Sequence, residues 1–185
     1  MRLVGILSKT ALMVAGSLAL LLGLGFADPG NRRLMTSFFS KDPPLGVVPK
    51  GAADEEGLVR TITRFNSILS AAYLELDPAA LAASAMDDGP RRNYVEEVAF
   101  LAKDGRALEM TVRDIRIAEV RRLPERMLSV DTVESVKVRY LRAADRTQIL
   151  AYPETQYAMN YTLEESAAGW RITGVQTMAA GKRDD

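Results

Sequence analysis

The fold predicted for this chain rests on the segment Tyr157–Met178, which reads YAMNYTLEESAAGWRITGVQTM. Its first half alternates between apolar and polar side chains, and the apolar set comprises Tyr157, Met159, Tyr161 and Leu163. A period of two with aromatic residues predicts a strand with one buried face. Glu164 to Gly169 has the length of a hairpin loop. A second strand follows the loop, so we predict a C-terminal hairpin with three core residues: Leu163, Trp170 and Ile172.

Two further strands precede this hairpin, at Leu108–Val120 and Leu128–Tyr140. In the first strand the apolar residues do not keep one parity, which predicts a bulge or a twist. The two sets are Ile115 with Ile117 and Val112 with Val120. In the second strand, Glu134 shares the parity of the apolar side chains. Together with the hairpin, these segments predict a four-stranded antiparallel sheet.

The residues before the strands predict two or three helices. Asp54–Leu76 carries one apolar stripe at spacings of three and four, formed by Leu58, Ile62, Phe65, Leu69, Tyr73 and Leu76. A second helix begins at Asp77-Pro78, because Asp suits the N-cap and Pro suits the first helical position. Asp87-Asp88-Gly89-Pro90 reads as a breaker, and Arg91–Lys103 as a third helix. The predicted fold class is therefore α+β.

Residues 1–27 read as a membrane anchor. Thr10–Ala27 is an uncharged run of eighteen residues, and a bilayer-spanning helix needs about 17–25. The side chains predicted to face lipid are Leu12, Val14, Leu18, Leu20, Leu21, Leu22, Leu24 and Phe26. Small residues at Gly25 and Ala27 would also suit signal-peptide cleavage, so a cleaved signal is the alternative.

Residues 28–53 are predicted to be a linker, because four prolines and three glycines disfavour regular structure. A globular domain is expected at 54–180 and a polar tail at 181–185. Arg2 and Lys9 precede the apolar run, whereas Arg32 and Arg33 follow it, so the positive-inside rule gives only a weak orientation. We take the short basic N-terminus as cytoplasmic. The expected location is the inner (cytoplasmic) membrane, crossed once, with the globular domain facing the periplasm.

The composition excludes several classes of function. Lys and Arg number 24 and Asp and Glu also number 24, so there is no basic surplus to attract nucleic acid. The chain contains no Cys and no His, which excludes thiol nucleophiles, imidazole bases and structural zinc. The acids do not follow a metal-ligand spacing. We therefore expect no cofactor, no metal and no nucleic-acid partner.

The order of helices followed by an antiparallel sheet, closed by this hairpin, resembles the nuclear transport factor 2-like superfamily. The residues that carry the resemblance are Tyr161, Leu163, Glu164, Gly169, Trp170, Arg171 and Ile172, with the helix from Leu58 to Leu76. It covers residues 54–178 and is most similar to domains of the mitochondrial import-motor anchor and of the cyanobacterial and plastid division proteins. The resemblance implies that helices pack on a curved sheet to form a cone.

Enzymes of this superfamily place acids and tyrosines inside the cone, so the resemblance implies a possible pocket at Tyr73, Glu134, Tyr157 and Tyr161. Glu134 is the one carboxylate that the pattern could bury, and burial would raise its pKa and suit it to general-base catalysis. We expect instead that a bulge turns Glu134 to solvent, or that Arg113 or Arg116 pairs with it. The tyrosines are expected to be ordinary core residues.

These observations favour a non-catalytic, membrane-anchored interaction or scaffold subunit of a membrane protein assembly. Its expected partners are the bilayer itself, membrane proteins of that bilayer and, as a possibility, further copies of the chain. One alternative is a small-molecule-binding or enzymatic domain that uses the cone. Another is an inner-membrane subunit of a type IV secretion system, although Ala167-Ala168-Gly169-Trp170 stands where that subunit has an Asn-Pro-Leu-Gly signature.

Overall fold

The computed structural model describes residues 46–49, 51 and 53–178. The predicted anchor at 1–27, the linker up to residue 45 and the tail at 181–185 lie outside the described residues. Within the described part, no helix has the length and apolar character needed to cross a membrane.

The described chain is an α+β domain in which two helices and a 3₁₀ turn accompany one antiparallel sheet. The helices are α1 (Glu55–Glu75) and α2 (Asp88–Lys103), and the 3₁₀ helix between them is Pro78–Ala83. The strands are β1 (Gly46–Val47), β2 (Arg106–Arg122), β3 (Met127–Arg142), β4 (Gln148–Ala151), β5 (Thr155–Ser166) and β6 (Gly169–Met178).

The sheet has six strands rather than the four predicted. Its order is β1-β2-β3-β5-β6, with β4 also paired to β3. The two additional strands contain two and four residues, too few to produce a visible period in the sequence. β4 and β5 lie along the same edge of β3, separated by Tyr152–Glu154. Pro153 explains this interruption, because proline has no N–H to give to a ladder.

The irregularity predicted in the first long strand is confirmed and occurs twice in β2. The register against β3 shifts between Val112 and Asp114 and again between Ile117 and Glu119. Each shift adds one residue and so reverses which parity faces the helices. As a result the apolar residues on both sides of the shifts pack against one core, although their parities differ: Val112, Ile115, Ile117 and Val120.

Helix α1 begins and ends within one residue of the predicted boundaries. Asp54 caps it by accepting a hydrogen bond from the backbone N–H of Gly57 at 2.9 Å, and Leu76 ends it in the left-handed conformation, with φ 58°. The predicted stripe faces the sheet. Its last residue, Leu76, is only partly buried, and the others are buried: Leu58, Ile62, Phe65, Leu69 and Tyr73.

The second half of the helical region differs from the prediction. The second helix is only the 3₁₀ turn, and Asp87 and Asp88, predicted to break the chain, are the N-cap and first residue of α2. Pro90 fits there because the N–H groups in the first turn of a helix have no acceptor within the helix. Proline, which has no N–H, therefore loses no hydrogen bond at this position. The connecting residues instead form an isolated parallel bridge between Met86 and Ile172. The N–H of Ile172 donates to the carbonyl of Ala85 at 2.7 Å.

The C-terminal hairpin is longer than predicted, because β5 continues to Ser166 and only Ala167 and Ala168 form the turn. Gly169 begins β6 with φ 109°, a backbone conformation that side chains disfavour. Leu163 and Ile172 are fully buried. Trp170 is only half-buried and packs at the margin of the core. The core lies between α1, α2 and the concave face of the sheet, an arrangement consistent with the expected cone.

Candidate functional site

Glu134 lies on the concave face of the sheet with only 2% of its surface exposed. On β3 its cross-strand neighbours are Ile115 and Tyr157. The expectation that it faces solvent or pairs with an arginine is therefore wrong. The physical reason is that both bulges fall in β2, so β3 keeps strict alternation along its pairing with β5 and Glu134 stays on the buried side.

Three neutral side chains donate hydrogen bonds to the Glu134 carboxyl group. The Tyr161 hydroxyl donates to Oε1 at 2.8 Å and the Thr132 hydroxyl donates to the same oxygen at 2.9 Å. From helix α1, the Asn66 amide donates to Oε2 at 3.1 Å. We call these four residues the inner cluster. It joins the helical layer to two strands through one carboxyl group.

Burial raises the pKa of the Glu134 carboxyl group, and the hydrogen bonds from Tyr161, Thr132 and Asn66 lower it in part. All three donors are also buried, and none carries a positive charge. A buried carboxylate without a cation is costly, so binding a proton is the available means of neutralising it. The inner cluster can therefore hold or release a proton inside the domain.

A small cavity of about 30 Å³ adjoins this cluster. Its lining is largely apolar, and the polar side chains that reach it are Asn66, Tyr94, Glu134, Tyr157 and Tyr161. A single water needs roughly 10–15 Å³, whereas an apolar cavity that holds benzene measures about 150 Å³. The cavity therefore suits one or two waters, which the carboxyl and hydroxyl groups could bind. The apolar residues that line it all belong to the core.

The structure brings three of the four predicted pocket residues together. Glu134, Tyr157 and Tyr161 all line the cavity, whereas Tyr73 lies elsewhere. The hydroxyl of Tyr73, on α1, donates to Oε2 of Glu97 on α2 at 2.5 Å. Burial raises the pKa of both groups, and for Glu97 the hydrogen bond from Tyr73 partly offsets this. The hydrogen bond between Tyr73 and Glu97 therefore joins the two helices.

Asn66 and Glu97 were not predicted as site residues, although the sequence contains a signal for each. Asn66 lies four residues after Ile62 and three before Leu69, on the buried stripe of α1. Glu97 lies three residues after Tyr94 and four before Leu101, on the corresponding stripe of α2. A polar residue at a stripe position is a candidate for a buried hydrogen-bonding group.

A second polar group, which we call the outer cluster, lies on the opposite face of the same strands. Asp131, on β3, is 7% exposed. Its carboxyl group accepts from the Arg121 guanidinium at 2.6 Å and from the Asn160 amide at 2.5 Å. The Asn160 amide also donates to the Ser129 hydroxyl at 2.8 Å. This cluster contains a cation, unlike the inner one.

Among the described residues, no three acids come close enough together to hold a metal ion. By sequence, no family model and no curated protein matches this chain. Its structure, however, is similar to several solved ones.

The intermembrane space region of the chloroplast protein ARC6 superposes with a TM-score of 0.54 at 15% identity. The match covers 69% of this chain and 98% of that one. Aln2 from a Streptomyces species gives a TM-score of 0.44 at 15% identity, covering 68% of this chain and 90% of Aln2. A periplasmic fragment of TraM gives 0.43 at 14% identity, covering 66% and 98%. At this level of identity the likeness to the ARC6 region shows a shared fold.

Proposed function

We propose that this protein is a non-catalytic, membrane-anchored interaction subunit of a membrane protein assembly, with its globular domain outside the cytoplasm. The N-terminal apolar run supplies the anchor, and residues 28–45 connect it to the described domain. In this proposal the domain acts through contacts between proteins, and the concave face is its structural core.

The observation that carries the proposal is the filled interior of the cone. Fully buried side chains from the helix and the strands occupy it, among them Phe65, Leu69, Tyr161 and Ile172. The cavity of about 30 Å³ beside Glu134 is too small for an organic substrate. A domain whose concave face is used for its own stability has its outer face and its edges left for function.

The fold of the ARC6 region supports a position beside a bilayer. That region lies in an intermembrane space, so this fold serves there as a domain between membranes. Anchoring would hold the present domain close to other proteins of the same membrane and raise its effective concentration, so weak contacts suffice.

Membrane attachment and orientation can be tested with single cysteines, because the natural chain contains none. Ser166→Cys places a thiol at the exposed end of the C-terminal hairpin, and Ser8→Cys places one before the apolar run. In intact cells, a thiol reagent that does not cross the inner membrane should label Ser166→Cys only. After the membrane is permeabilised, both should react. Labelling of Ser8→Cys alone in intact cells would contradict the proposed orientation. A mature chain that begins near residue 28 would contradict the membrane anchor.

The interaction itself is tested by crosslinking in cells that carry the full-length chain, followed by purification and mass spectrometry. We expect membrane proteins to be recovered in fixed proportion. A matched chain with Leu18→Arg and Leu21→Arg, which lacks a continuous apolar run, should lose them. Recovery of no membrane protein with the natural chain would overturn the proposal.

A pocket function is the second candidate, and the inner cluster is the observation that favours it. Glu134 is a buried carboxyl group with a raised pKa beside a cavity, which is the environment of a general base. If a ligand uses this site, Glu134→Gln should abolish its binding while the fold and the membrane partners are retained. If the scaffold proposal is right, Glu134→Gln should leave the crosslinked partners unchanged.

A further inference from the structure

Helix α2 forms one wall of the cavity beside Glu134. Tyr94, on this helix, lines the cavity together with Glu134, and its ring packs edge-on against Phe65 of α1, with the ring centroids 5.6 Å apart. Displacement of α2 would remove this wall and open a path from bulk water to the Glu134 carboxyl group. The closed position of α2 therefore helps to keep that group, which is 2% exposed, away from solvent.

The same helix carries the second acid with a raised pKa. Glu97 lies three residues after Tyr94, and its Oε2 accepts a hydrogen bond from the Tyr73 hydroxyl of α1 at 2.5 Å. Burial raises the pKa of the Glu97 carboxyl group, as it does for Glu134. If α2 moved away from α1, Glu97 would move into water with it. One displacement of α2 would therefore hydrate both carboxyl groups.

The two acids act on one tyrosine and lack a cation among the described residues. No ion pair of the described chain includes Glu97 or Glu134. Burial raises the pKa of Tyr94, and the charges of Glu97 and Glu134 raise it further, so both carboxyl groups lie close to it. When ionised, they are like charges beside one buried ring, which disfavours the closed arrangement.

The other titratable groups of the neighbouring elements do not change this balance. Three tyrosines face the region from the strands: Tyr140 on β3, and Tyr157 and Tyr161 on β5. The arginines of β2 and β6 beside α2 are paired: Arg106 with Asp104 at 2.7 Å, and Arg171 with Asp87 at 3.0 Å. The cations of the two helices are exposed or, for Arg91, paired with Asp88: Arg60, Arg64, Arg91, Arg92 and Lys103. The 3₁₀ helix contributes no titratable residue.

Helix α2 is fastened at both ends, where a movement could pivot. Before its first turn, the N–H of Asp87 donates to the carbonyl of Ile172 at 2.9 Å. After its last turn, Gly105 has φ 70°, a conformation that glycine adopts at no steric cost. Between these ends, the helix is held by its buried residues Val98 and Leu101 and by the bond from Tyr73 to Glu97. It can therefore lift without separating the strands.

We propose that α2 is a pH-responsive lid over the concave face of the sheet, closed while Glu97 and Glu134 are protonated and released when both are ionised. The proposal goes beyond the proposed function and does not rest on it, because it concerns how the domain opens and not what the domain contacts. The carboxyl groups of the lid and of the sheet beneath it respond to the same movement.

The sign of the effect follows from proton linkage. With the lid closed, both carboxyl groups have pKa values above their ordinary value of 4.5. With the lid open, both are in water, so the closed state binds more protons than the open state. The contribution of the two acids to closure is therefore fully present below pH 4.5 and is lost as the pH rises through their raised pKa values.

The opening of α2 can be measured with a buried thiol, because the natural chain contains no cysteine. Val98→Cys places a thiol on α2 at a position with no exposed surface. Its rate of reaction with 4,4′-dithiodipyridine is measured in the full-length chain in lipid vesicles, between about pH 4 and pH 8, a range that begins near the ordinary carboxyl pKa. The same thiol in a Glu97→Gln, Glu134→Gln background is the reference at each pH. Its lid has neither acid, so the pH dependence of the thiol itself cancels in the ratio of the two rates.

The ratio should be constant below pH 4.5 and should rise above it, by at most about tenfold per pH unit for each carboxyl group. Glu97→Gln alone and Glu134→Gln alone should each retain part of the rise, because one acid still titrates. The rise in the natural chain should be at least the product of these two partial rises, since the two charges also repel each other.

A second buried thiol separates movement of the lid from unfolding of the domain. Val120→Cys, on β2, is the matched control, because Val120 is 5% exposed and lies at the edge where its carbonyl accepts from the N–H of Val48 at 2.8 Å. Its ratio of rates, measured against the same double variant, should not rise with pH. Circular dichroism of each variant checks that the domain is folded.

Three results would overturn the proposal: a ratio at Val98→Cys that does not change with pH, a rise that one single variant abolishes completely, or an equal rise at Val120→Cys. If a substituted chain does not fold, amide hydrogen exchange of the unsubstituted full-length chain decides the question. After correction for the intrinsic effect of pH, exchange of α2 should increase with pH more than exchange of β3 and β5, and an equal increase would again overturn the lid. These measurements do not involve the membrane partners, so their failure leaves the proposed function standing.

Discussion

The inner and outer clusters place two carboxyl groups three residues apart on one strand, on opposite faces of one sheet. Glu134 and Asp131 are both nearly inaccessible to solvent, at 2% and 7%. Glu134 is bound only by neutral donors, and burial raises its pKa. Asp131 is bound by the Arg121 guanidinium at 2.6 Å. The same kind of group on the same strand thus has two different sets of hydrogen-bond donors.

The difference comes from what covers each face. Helix α1 lies over the concave face, so a long cationic side chain directed at Glu134 would have to be buried with it, at a high desolvation cost. The outer face carries no helix among the described elements, and Arg121 reaches Asp131 while keeping part of its guanidinium in water. The carboxyl group covered by the helix is therefore surrounded by neutral donors, and the one on the face without a helix is paired with a cation.

The largest effect is expected from removing the cover of the inner cluster. Phe65 is buried on α1 and packs edge-on against Tyr94 and Tyr161, with ring centroids 5.6 and 6.5 Å apart. Phe65→Ala should lower the free energy of unfolding by about 3–5 kcal/mol, through lost burial and the cavity left behind. Urea denaturation measures this. Trp170→Ala is the matched control and should cost clearly less, because Trp170 is only half-buried. If the two substitutions lower the free energy of unfolding equally, Trp170 contributes as much to stability as Phe65, which would contradict this expectation.

The next effect concerns one donor of the inner cluster. Tyr161→Phe removes the hydroxyl that donates to Glu134 at 2.8 Å and leaves the ring in place. The free energy of unfolding should fall by about 1–3 kcal/mol, because the buried carboxyl group loses a hydrogen bond. Tyr157→Phe, on the same face of β5 but half-buried, should cost less. If both variants unfold at the same temperature as the natural chain, the hydrogen bond from Tyr161 to Glu134 does not contribute to stability.

The raised pKa of Glu134 predicts that stability depends on pH. In the folded state the pKa of Glu134 lies above its ordinary value of 4.5, so the folded chain binds more protons than the unfolded chain in the interval between the two pKa values. The contribution of Glu134 to stability is therefore fully present below pH 4.5 and is lost as the pH rises through the folded pKa. Glu134→Gln stays neutral, so its stability relative to the natural chain should rise over that interval and then remain constant. Denaturation curves measured across pH provide the comparison, and a constant difference at all pH values would contradict a raised pKa.

The smallest effect is expected on the outer face. Asp131→Asn keeps the size of the side chain and removes the charge that faces Arg121. The cost should be about 1 kcal/mol or less, because the pair is partly solvated, and it should shrink as sodium chloride is added, since salt screens exposed charges. The effect of Glu134→Gln should not depend on salt. If the cost of Asp131→Asn does not change with salt, the two faces of the sheet do not differ in how they stabilise a carboxyl group.

The sequence predicted those parts of the fold in which one period persists over several turns or residue pairs. The stripe of α1 and the alternation of β5 each repeat often enough to determine a buried face, and the parity change in β2 indicated its bulges. Strands β1 and β4 are too short to carry a period, and their pairing is determined by long neighbours. The first turn of α2 was mistaken for a breaker, because proline and glycine disfavour a helix interior but not its first turn.

The candidate site was predicted only in part. The parity of Glu134 placed it on the apolar side of β3, yet its burial depended on the position of the bulges in the neighbouring strand. The pattern of β3 alone does not show whether a bulge interrupts β3 as well as its neighbour. Asn66 could have been suspected as its partner from the α1 stripe, but the contact joins residues 68 positions apart. Only the packed structure brings them together.

The bridge between Met86 and Ile172 has a consequence for how the domain is made. Synthesis proceeds from the N-terminus, so both helices and the connection between them leave the ribosome well before β6 does. The backbone carbonyl of Ala85 and the N–H of Asp87 find their native partners only in Ile172, at 2.7 and 2.9 Å. Until then the connection has no partner for these groups except water or a chaperone, and the apolar face of α1 lacks its last covering strand. The nascent domain therefore remains incomplete until its final hairpin emerges, and this interval is when it most needs protection from aggregation.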